Sequence, residues 1–315
     1  MKKLLILPLL SFLALATISL WFWLNVQPVS SNKAFQNFLI AKGATATQIG
    51  DKLQSQGLIK NALVFRIYAH FSGQAGKIPT GEFRLSPGFT LFQTIDQLLK
   101  GPLEVWVTIP EGLRREEIAA KFAGGLERDS AFNTDFLKSS VGKEGMLFPD
   151  TYLFPKDATA GAIVTKMLKT FATKTVSLST KSGLSFNDRI ILASILERET
   201  KTDAERPVVA GILLNRLNAG MALQVDATVQ YAVGNSKDWW PVLSLNDLKI
   251  ASPYNTYKFT GLPPTPISNP GISSINAAFN PTPSDYWYYI HDPSGQIHYA
   301  KTLSEQNANI AKYLH

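Results

Sequence analysis

The feature that most constrains this chain is an uncharged apolar segment at its N-terminus. No charged side chain occurs between Lys3 and Lys33, and residues 4–26 are almost entirely apolar. A helix over residues 4–26 would measure roughly 34 Å, enough for the ~30 Å hydrocarbon core of a bilayer. Because Lys2 and Lys3 favour the cytoplasmic side, the segment predicts a single-pass anchor, with the remainder of the chain exported.

A cleaved signal peptide is the alternative interpretation of this segment. Ala14-Leu15-Ala16 matches the small-residue pattern of a cleavage site. However, the apolar run continues through Trp21, Phe22 and Leu24, so that cleavage would leave an apolar new terminus. We therefore favour the uncleaved anchor.

The composition excludes several classes of site. The chain is 45% hydrophobic and 17% charged, which is enough apolar content for a folded core. It has no cysteine, so disulfides and cysteine-ligated metals are excluded. The net charge of +7 is scattered along the chain, which does not favour nucleic acid as a partner. No metal or cofactor is predicted, because metal-ligand spacing is missing from the four histidines, His70, His291, His298 and His315.

A recurring pattern organises the first part of the exported chain. A glycine turn and polar capping residues precede a short amphipathic helix three times, at residues 43–53, 88–99 and 112–122. A strand-like run, Val105–Ile109, separates the last two. Small units of this kind resemble LysM-like peptidoglycan-binding modules. The alternative is that any α+β domain contains such capped helices.

The most informative segment for chemistry is Asn187–Thr200. Asn187 or Asp188 can cap a helix, and the almost wholly apolar run that follows predicts that this helix is buried on most sides. Glu197 and Glu199 come at its end with i, i+2 spacing, which places them on opposite faces.

Glu199 follows the bulky side chains of the helix, whereas Glu197 follows smaller and more polar ones. Desolvation and the negative end of the helix dipole should both raise the pKa of Glu199, as a glycosidase general acid requires. The alternative is a surface ion pair with Arg198 or Arg206.

Longer stretches of the sequence resemble the MltG (YceG-like) family of endolytic murein transglycosylases. The resemblance runs from the anchor to the end of the chain, and its motifs occur in order. The matching stretches are EGLR (111–114), EGMLFPDTYLF (144–154), ASILERET (193–200), ERPVVAGILLNRL (205–217), GMALQVDATVQYAVG (220–234) and SPYNTYKFTGLPPTPISNPG (252–271).

The resemblance implies a reaction and a catalytic residue. Glu199 corresponds to the catalytic glutamate of the family's ExET motif. Members cleave the bond between N-acetylmuramic acid (MurNAc) and N-acetylglucosamine (GlcNAc) without water, leaving 1,6-anhydro-MurNAc ends on nascent glycan strands. It also implies partners among the peptidoglycan synthases.

Residues outside the helix are candidates for binding the sugar. They are Glu144, Gln224, Asp226, Tyr254 and Asn255, and ordinary capping or turn bonding is the alternative for each. The sequence is compatible with two secondary-structure assignments around Asp226. Alternation over Leu223–Tyr231 is compatible with a strand, and Asp226 is equally compatible with capping a helix that begins at Ala227. If Asp226 faced the cleft, it could activate water and make the enzyme a hydrolase.

These observations combine into one prediction of architecture. We expect an α+β protein with a transmembrane anchor and linker (1–32), a LysM-like module (33–106) and a mixed α/β YceG-like catalytic domain (107–315). The predicted location is the bacterial inner (cytoplasmic) membrane, with the catalytic domain in the periplasm or otherwise outside the cytoplasm. The alternative function is a non-catalytic, membrane-anchored scaffold that binds peptidoglycan.

Overall fold

The protein mixes helices and strands, as the predicted α+β class requires. The computed structural model describes residues 2–179 and 183–314, with side chains from residue 12 onward. Contacts divide the chain into two compact units: unit 1 is Met1–Val107 with Tyr152–Asp157, and unit 2 is Thr108–Thr151 with Ala158–His315. Residues 152–157 belong to unit 1 although part of unit 2 precedes them in the chain, so unit 1 is not one continuous segment and does not end at residue 106.

Unit 1 combines four helices with a four-stranded sheet. The strands follow the order β1-β2-β3-β4, and β1–β2 and β2–β3 are antiparallel. Phe38, Phe65 and Phe83 are fully buried in its core. The elements are α1 (Lys2–Val26), β1 (Gln36–Ile40), α2 (Ala46–Ser55), α3 (Ala62–Phe71), β2 (Gly81–Leu85), α4 (Leu91–Leu99), β3 (Glu104–Thr108) and β4 (Thr151–Pro155).

Two of the predicted glycine-turn helices begin with complete capping boxes. The Thr45 hydroxyl accepts from the Gln48 backbone N–H, while the Gln48 side chain accepts from the Thr45 backbone N–H. Thr90 and Gln93 repeat this exchange at the start of α4. Each box pairs two backbone N–H donors that a helix start would otherwise leave unpaired. The helices predicted from these motifs are therefore confirmed.

The first helix, α1, covers the apolar N-terminal segment. The predicted cytoplasmic Lys2 and Lys3 have side chains outside the described residues, and Met1 lies outside them entirely. Within the part of the chain that the structure describes, none of the helices combines the length and the apolar character needed to cross a membrane.

Unit 2 is mainly helical, with a core around one buried helix. Its helices are α5 (Arg115–Gly125), α6 (Ser130–Ser139), α7 (Ala160–Thr175), α8 (Phe186–Glu199), α9 (Glu205–Asn218), α10 (Asp226–Val233), α11 (Ile272–Phe279) and α12 (Leu303–Tyr313). Every residue of α8 from Arg189 to Leu196 is buried, as the apolar run predicts. The predicted cap of α8 was wrong. Ser185 is the N-cap and forms a capping box with Asp188, so the helix begins before Asn187.

The end of the chain forms a hairpin and a helix. Strands β5 (Tyr288–His291) and β6 (Ile297–Ala300) pair antiparallel around the predicted turn at Pro293-Ser294-Gly295, where Gly295 has φ +90°. The sequence predicts a hairpin here, because strand-like runs at 284–290 and 297–300 flank this turn, and the pairing of β5 with β6 confirms it. Helix α12 follows and was not predicted from the sequence. It packs on both strands. Residues of α12 also line the same cavity as Glu199, at the end of α8.

Candidate active site

The end of α8 opens into a polar cavity of about 440 Å³ in unit 2. We call it the Glu199 cavity. Helices α8 and α9, the start of α10, strand β5 and helix α12 all contribute to it. It is lined by Glu199, Arg216, Leu223, Gln224, Asp226, Tyr257, Tyr288, Tyr289, Ile290, Leu303, Gln306, Asn307 and Ile310.

Glu199 is held in this cavity by two donors. The Tyr289 hydroxyl donates to Oε2 at 3.0 Å, and the backbone N–H of Ala227, in the first turn of α10, also donates to the carboxylate. Loss of solvation raises the pKa of Glu199 to about 7, and the nearby negative charge of Asp226 adds to this. The two hydrogen bonds and Arg198 act in the opposite direction, because they stabilise the charged form.

A carboxyl with a pKa close to neutrality can both give and take a proton during one reaction cycle. Its protonated form is well populated at neutral pH, so it can act as a general acid, and its anion is then basic enough to recover a proton. Ordinary surface glutamates remain almost fully ionised at that pH. The sequence predicted that desolvation raises the pKa of Glu199, and the pKa in the structure is shifted in that direction.

Glu197 lies on another face of α8, as the i, i+2 spacing predicts. Its carboxylate pairs with Arg206 Nη2 at 3.1 Å and accepts from the Gly271 backbone N–H at 2.8 Å. The ion pair with Arg206 that was the alternative for Glu199 thus belongs to Glu197. This side chain joins α8 to the starts of α9 and α11.

Asp226 is the first residue of α10, so the strand considered for Leu223–Tyr231 was wrong. It does not cap the helix through its side chain either. Instead, the Tyr257 hydroxyl donates to Asp226 Oδ1 at 2.6 Å. The Asp226 side chain is exposed in the Glu199 cavity, where its negative charge raises the pKa of Glu199.

Gln224 also lines the Glu199 cavity, and its backbone is strained. It is a non-glycine residue with φ +55°, in the left-handed region that such residues rarely adopt. A hydrogen bond from its backbone N–H to the Thr256 carbonyl holds it there at 3.1 Å. Strained residues of this kind concentrate at functional sites, and the exposed Gln224 is one of the residues that line the Glu199 cavity.

The other predicted binding residues lie elsewhere. Glu144 and Tyr254 line a separate cavity of about 240 Å³. Asn255 is fully buried and lines neither cavity. Its amide donates to the Leu248 and Ile250 carbonyls and accepts from the Tyr257 backbone N–H, so it stabilises the loop from the inside.

Several residues of the Glu199 cavity were not predicted from the sequence. Arg216 is buried, and its guanidinium donates to the Trp287 and Leu223 carbonyls, both at 2.7 Å. Tyr257 lies in a stretch that was expected to form a cleft loop, but it was not among the candidate binding residues. Tyr289 belongs to the predicted hairpin. No local pattern connects Tyr289 to a glutamate 90 residues earlier in the chain.

Removing the Tyr289 hydroxyl should change the pH dependence of catalysis. In Tyr289→Phe the anion of Glu199 loses a hydrogen bond, so its pKa rises and the acid form persists to higher pH. We expect the alkaline limb of a kcat/KM profile to move up by roughly one pH unit. Tyr288→Phe is the matched control, since Tyr288 lines the same cavity without a hydrogen bond to Glu199. If the alkaline limb does not shift in Tyr289→Phe, or shifts equally in both variants, the hydrogen bond from Tyr289 does not set the pKa of Glu199.

Comparisons with known proteins agree on one family. The chain matches the YceG-like family over residues 38–312. It is 32% identical to the endolytic murein transglycosylase of Bacillus subtilis (strain 168), over 92% of this chain and 88% of that protein. It is 29% identical to a protein of the same name from Streptococcus pneumoniae (strain R6), over 92% of this chain and 60% of that one.

A solved structure gives the same assignment. The crystal structure of a putative YceG-like protein from Listeria monocytogenes superposes with a TM-score of 0.55 at 30% sequence identity. The match covers 88% of this chain and 99% of that one. The resemblance inferred from the sequence motifs is confirmed, and the chain belongs to the YceG-like family.

Proposed function

We propose that this protein is a lytic transglycosylase that cleaves peptidoglycan glycan strands internally, with Glu199 as its acid/base. The enzyme class follows from membership of a family whose relatives are named endolytic murein transglycosylases. The observation that carries the role of Glu199 is its surroundings: the carboxyl lies in an open polar cavity with a pKa raised to about 7. A non-catalytic scaffold has no need of such a group.

In the first step, protonated Glu199 gives its proton to the oxygen that joins MurNAc C1 to GlcNAc. The C1–O bond breaks, and the GlcNAc unit leaves as an alcohol. In the second step, the Glu199 carboxylate removes the proton of the MurNAc C6 hydroxyl while O6 bonds to C1. This closes the 1,6-anhydro ring and returns the proton to Glu199, so no water is consumed and one carboxyl serves both steps.

The neighbours of Glu199 assist each step differently. Asp226 disfavours the anion of Glu199, which keeps the acid available for the first step. Tyr289 and the Ala227 N–H stabilise the anion that the first step creates. The Tyr257 hydroxyl fixes the direction of the Asp226 carboxylate. Asp226 thus has a task that does not require it to act as a base toward water.

The setting of the enzyme is part of the same proposal. The uncharged apolar segment of residues 4–26, whose side chains are described only from residue 12 onward, serves as a single-pass anchor in the inner membrane. The remainder of the chain then lies outside the cytoplasm, near nascent strands and the synthases that make them. Residues 33–106, within unit 1, serve as the LysM-like module that holds glycan. Its cavity of about 310 Å³ between β1 and α2, lined in part by Phe38, Gln48 and Lys52, supports that role.

The chemical nature of the new ends tests the reaction. Uncross-linked glycan is digested, reduced with borohydride and analysed by mass spectrometry. We expect mostly 1,6-anhydro-MurNAc ends, which are one water lighter than reducing ends and resist borohydride because the ring locks the anomeric carbon. Mostly reducible MurNAc ends would show a hydrolase, and Asp226 would then be the candidate base.

A further inference from the structure

The cavity that contains Glu144 and Tyr254 has no part in the chemistry at Glu199. We call it the distal cavity; besides Glu144 and Tyr254 its walls include Arg115, Asn187, Tyr231 and Thr265. We propose that the distal cavity is a second saccharide-binding site, which takes an uncharged 2-acetamido sugar of the same strand, several residues from the cleaved bond. The proposal rests on the proposed function for the identity of the strand.

The walls of the distal cavity offer a fixed aromatic face. Tyr254 packs on Tyr231 with ring centroids 4.9 Å apart, and its hydroxyl lies 2.7 Å from Thr265 Oγ1. The Arg114 guanidinium lies 4.0 Å from the centroid of the Tyr231 ring. Tyrosine rings held in this way present an amphipathic surface at little entropic cost, which suits the C–H face of a pyranose.

Polar groups in the distal cavity can orient such a sugar. The Asn187 amide is exposed and has no hydrogen-bond partner within the described part of the chain. Glu144 is buried, and its Oε1 accepts from Asn269 Nδ2 at 2.6 Å and from the Arg115 N–H at 3.1 Å. Its Oε2 has only longer contacts, to Arg115 N at 3.3 Å and the Tyr231 hydroxyl at 3.5 Å.

The charges in the distal cavity favour a neutral ligand. Burial raises the pKa of Glu144 to about 8, so its carboxyl is mostly uncharged at neutral pH. The Arg115 guanidinium pairs with Glu116 at 3.3 Å and donates to the Leu137 carbonyl at 3.2 Å. An ionised peptide stem would meet no free opposite charge here, whereas hydroxyl and acetamido groups would meet an amide and a neutral carboxyl.

The distance between the distal cavity and the Glu199 cavity suits a polymeric ligand that occupies both. Asn187 and Glu199 lie near opposite ends of α8, a separation of about 18 Å along the helix. Helix α10 also reaches both, with Asp226 in one cavity and Tyr231 in the other. A strand bound at both places gains from the high effective concentration of its second segment. Long strands should therefore bind more tightly than oligosaccharides that fill only the Glu199 cavity.

Chain-length preference is the measurement that tests this site. The probes are peptide-free glycans, one long and one a tetrasaccharide, and the variant is Asn187→Ala with Tyr254→Ala. We expect the ratio of kcat/KM for the long glycan to that for the tetrasaccharide to fall about tenfold, through KM. Tyr286→Ala is the control, because Tyr286 lines neither cavity, and its ratio should match that of the unmodified protein.

An unchanged ratio, including one produced by equal losses on both glycans, would overturn the proposal. A preference that appears only on strands carrying peptide stems would also overturn it, in favour of a peptide site. Calorimetry with the Glu199→Gln protein separates this inference from the proposed function. Tighter binding of long glycan that depends on Tyr254 would uphold the distal site even if the products proved not to be anhydro sugars.

Discussion

Glu199→Gln is expected to reduce the rate of glycan cleavage by at least ~10²-fold. Glutamine keeps the shape of the side chain and can still accept from the Tyr289 hydroxyl, but it cannot transfer a proton. The cavity should therefore still bind glycan while both chemical steps are lost. The measurement is the initial rate of new chain ends on purified peptidoglycan strands, at substrate concentrations above and below KM.

Glu197→Gln is the matched control, on the same helix two residues away. We expect much more of the activity to remain, because Glu197 does not line the Glu199 cavity. Losing the charge breaks the pair with Arg206, so unfolding should become easier by about 1–3 kcal/mol. A dead Glu197→Gln beside an active Glu199→Gln would reverse the assignment of the two faces.

The second large effect concerns stability and pH, through Glu144. Burial raises its pKa to about 8 in the folded protein, whereas the unfolded chain should titrate near 4.5. Between these values the folded state binds more protons, so the free energy of unfolding should fall as pH rises. The stabilisation is complete below about pH 4.5 and is lost as pH passes 8, with an upper bound of roughly 5 kcal/mol.

Glu144→Gln should remove this contribution. A glutamine imitates the protonated carboxyl, since its oxygen can accept from Asn269 and Arg115 while its amide donates to Tyr231. We expect the variant to match the unmodified protein near pH 5 and to exceed it in stability at pH 9. Urea unfolding at pH 5, 7 and 9 measures the difference. Parallel pH dependence of the two proteins would show that Glu144 is ionised when buried.

Glu199 is the second carboxyl with a raised pKa. Comparing the Glu144→Gln variant with the unmodified protein separates the contribution of Glu144 to stability from that of Glu199. Glu199 also has a pKa above its usual value, so it contributes a loss of stability in the same direction. That contribution is common to both proteins and cancels in the difference. The pH dependence of cleavage, in contrast, should follow Glu199 and should be unaffected by the titration of Glu144 on short substrates.

Local features of the sequence predicted helices α2 and α4 and the buried run of α8 that ends at Glu199. Capping boxes such as Thr45–Gln48 act within one turn, and the apolar run of α8 fixes which of its side chains are buried. The i, i+2 spacing then separates Glu197 from Glu199. These signals depend on backbone hydrogen bonds and periodicity over a few residues, and they do not need the rest of the chain.

Only the tertiary structure decided which groups surround each carboxyl. Tyr289 reaches Glu199 from a hairpin 90 residues further along, and α12 completes the cavity from the end of the chain. Glu144 was a candidate sugar contact from the sequence, and it lies in the distal cavity because Asn269 and the start of α5 hold it there. Such partners are selected by the packing of distant elements against one another. A carboxyl's depth and neighbours, and hence its pKa, therefore follow from the fold and not from its local sequence.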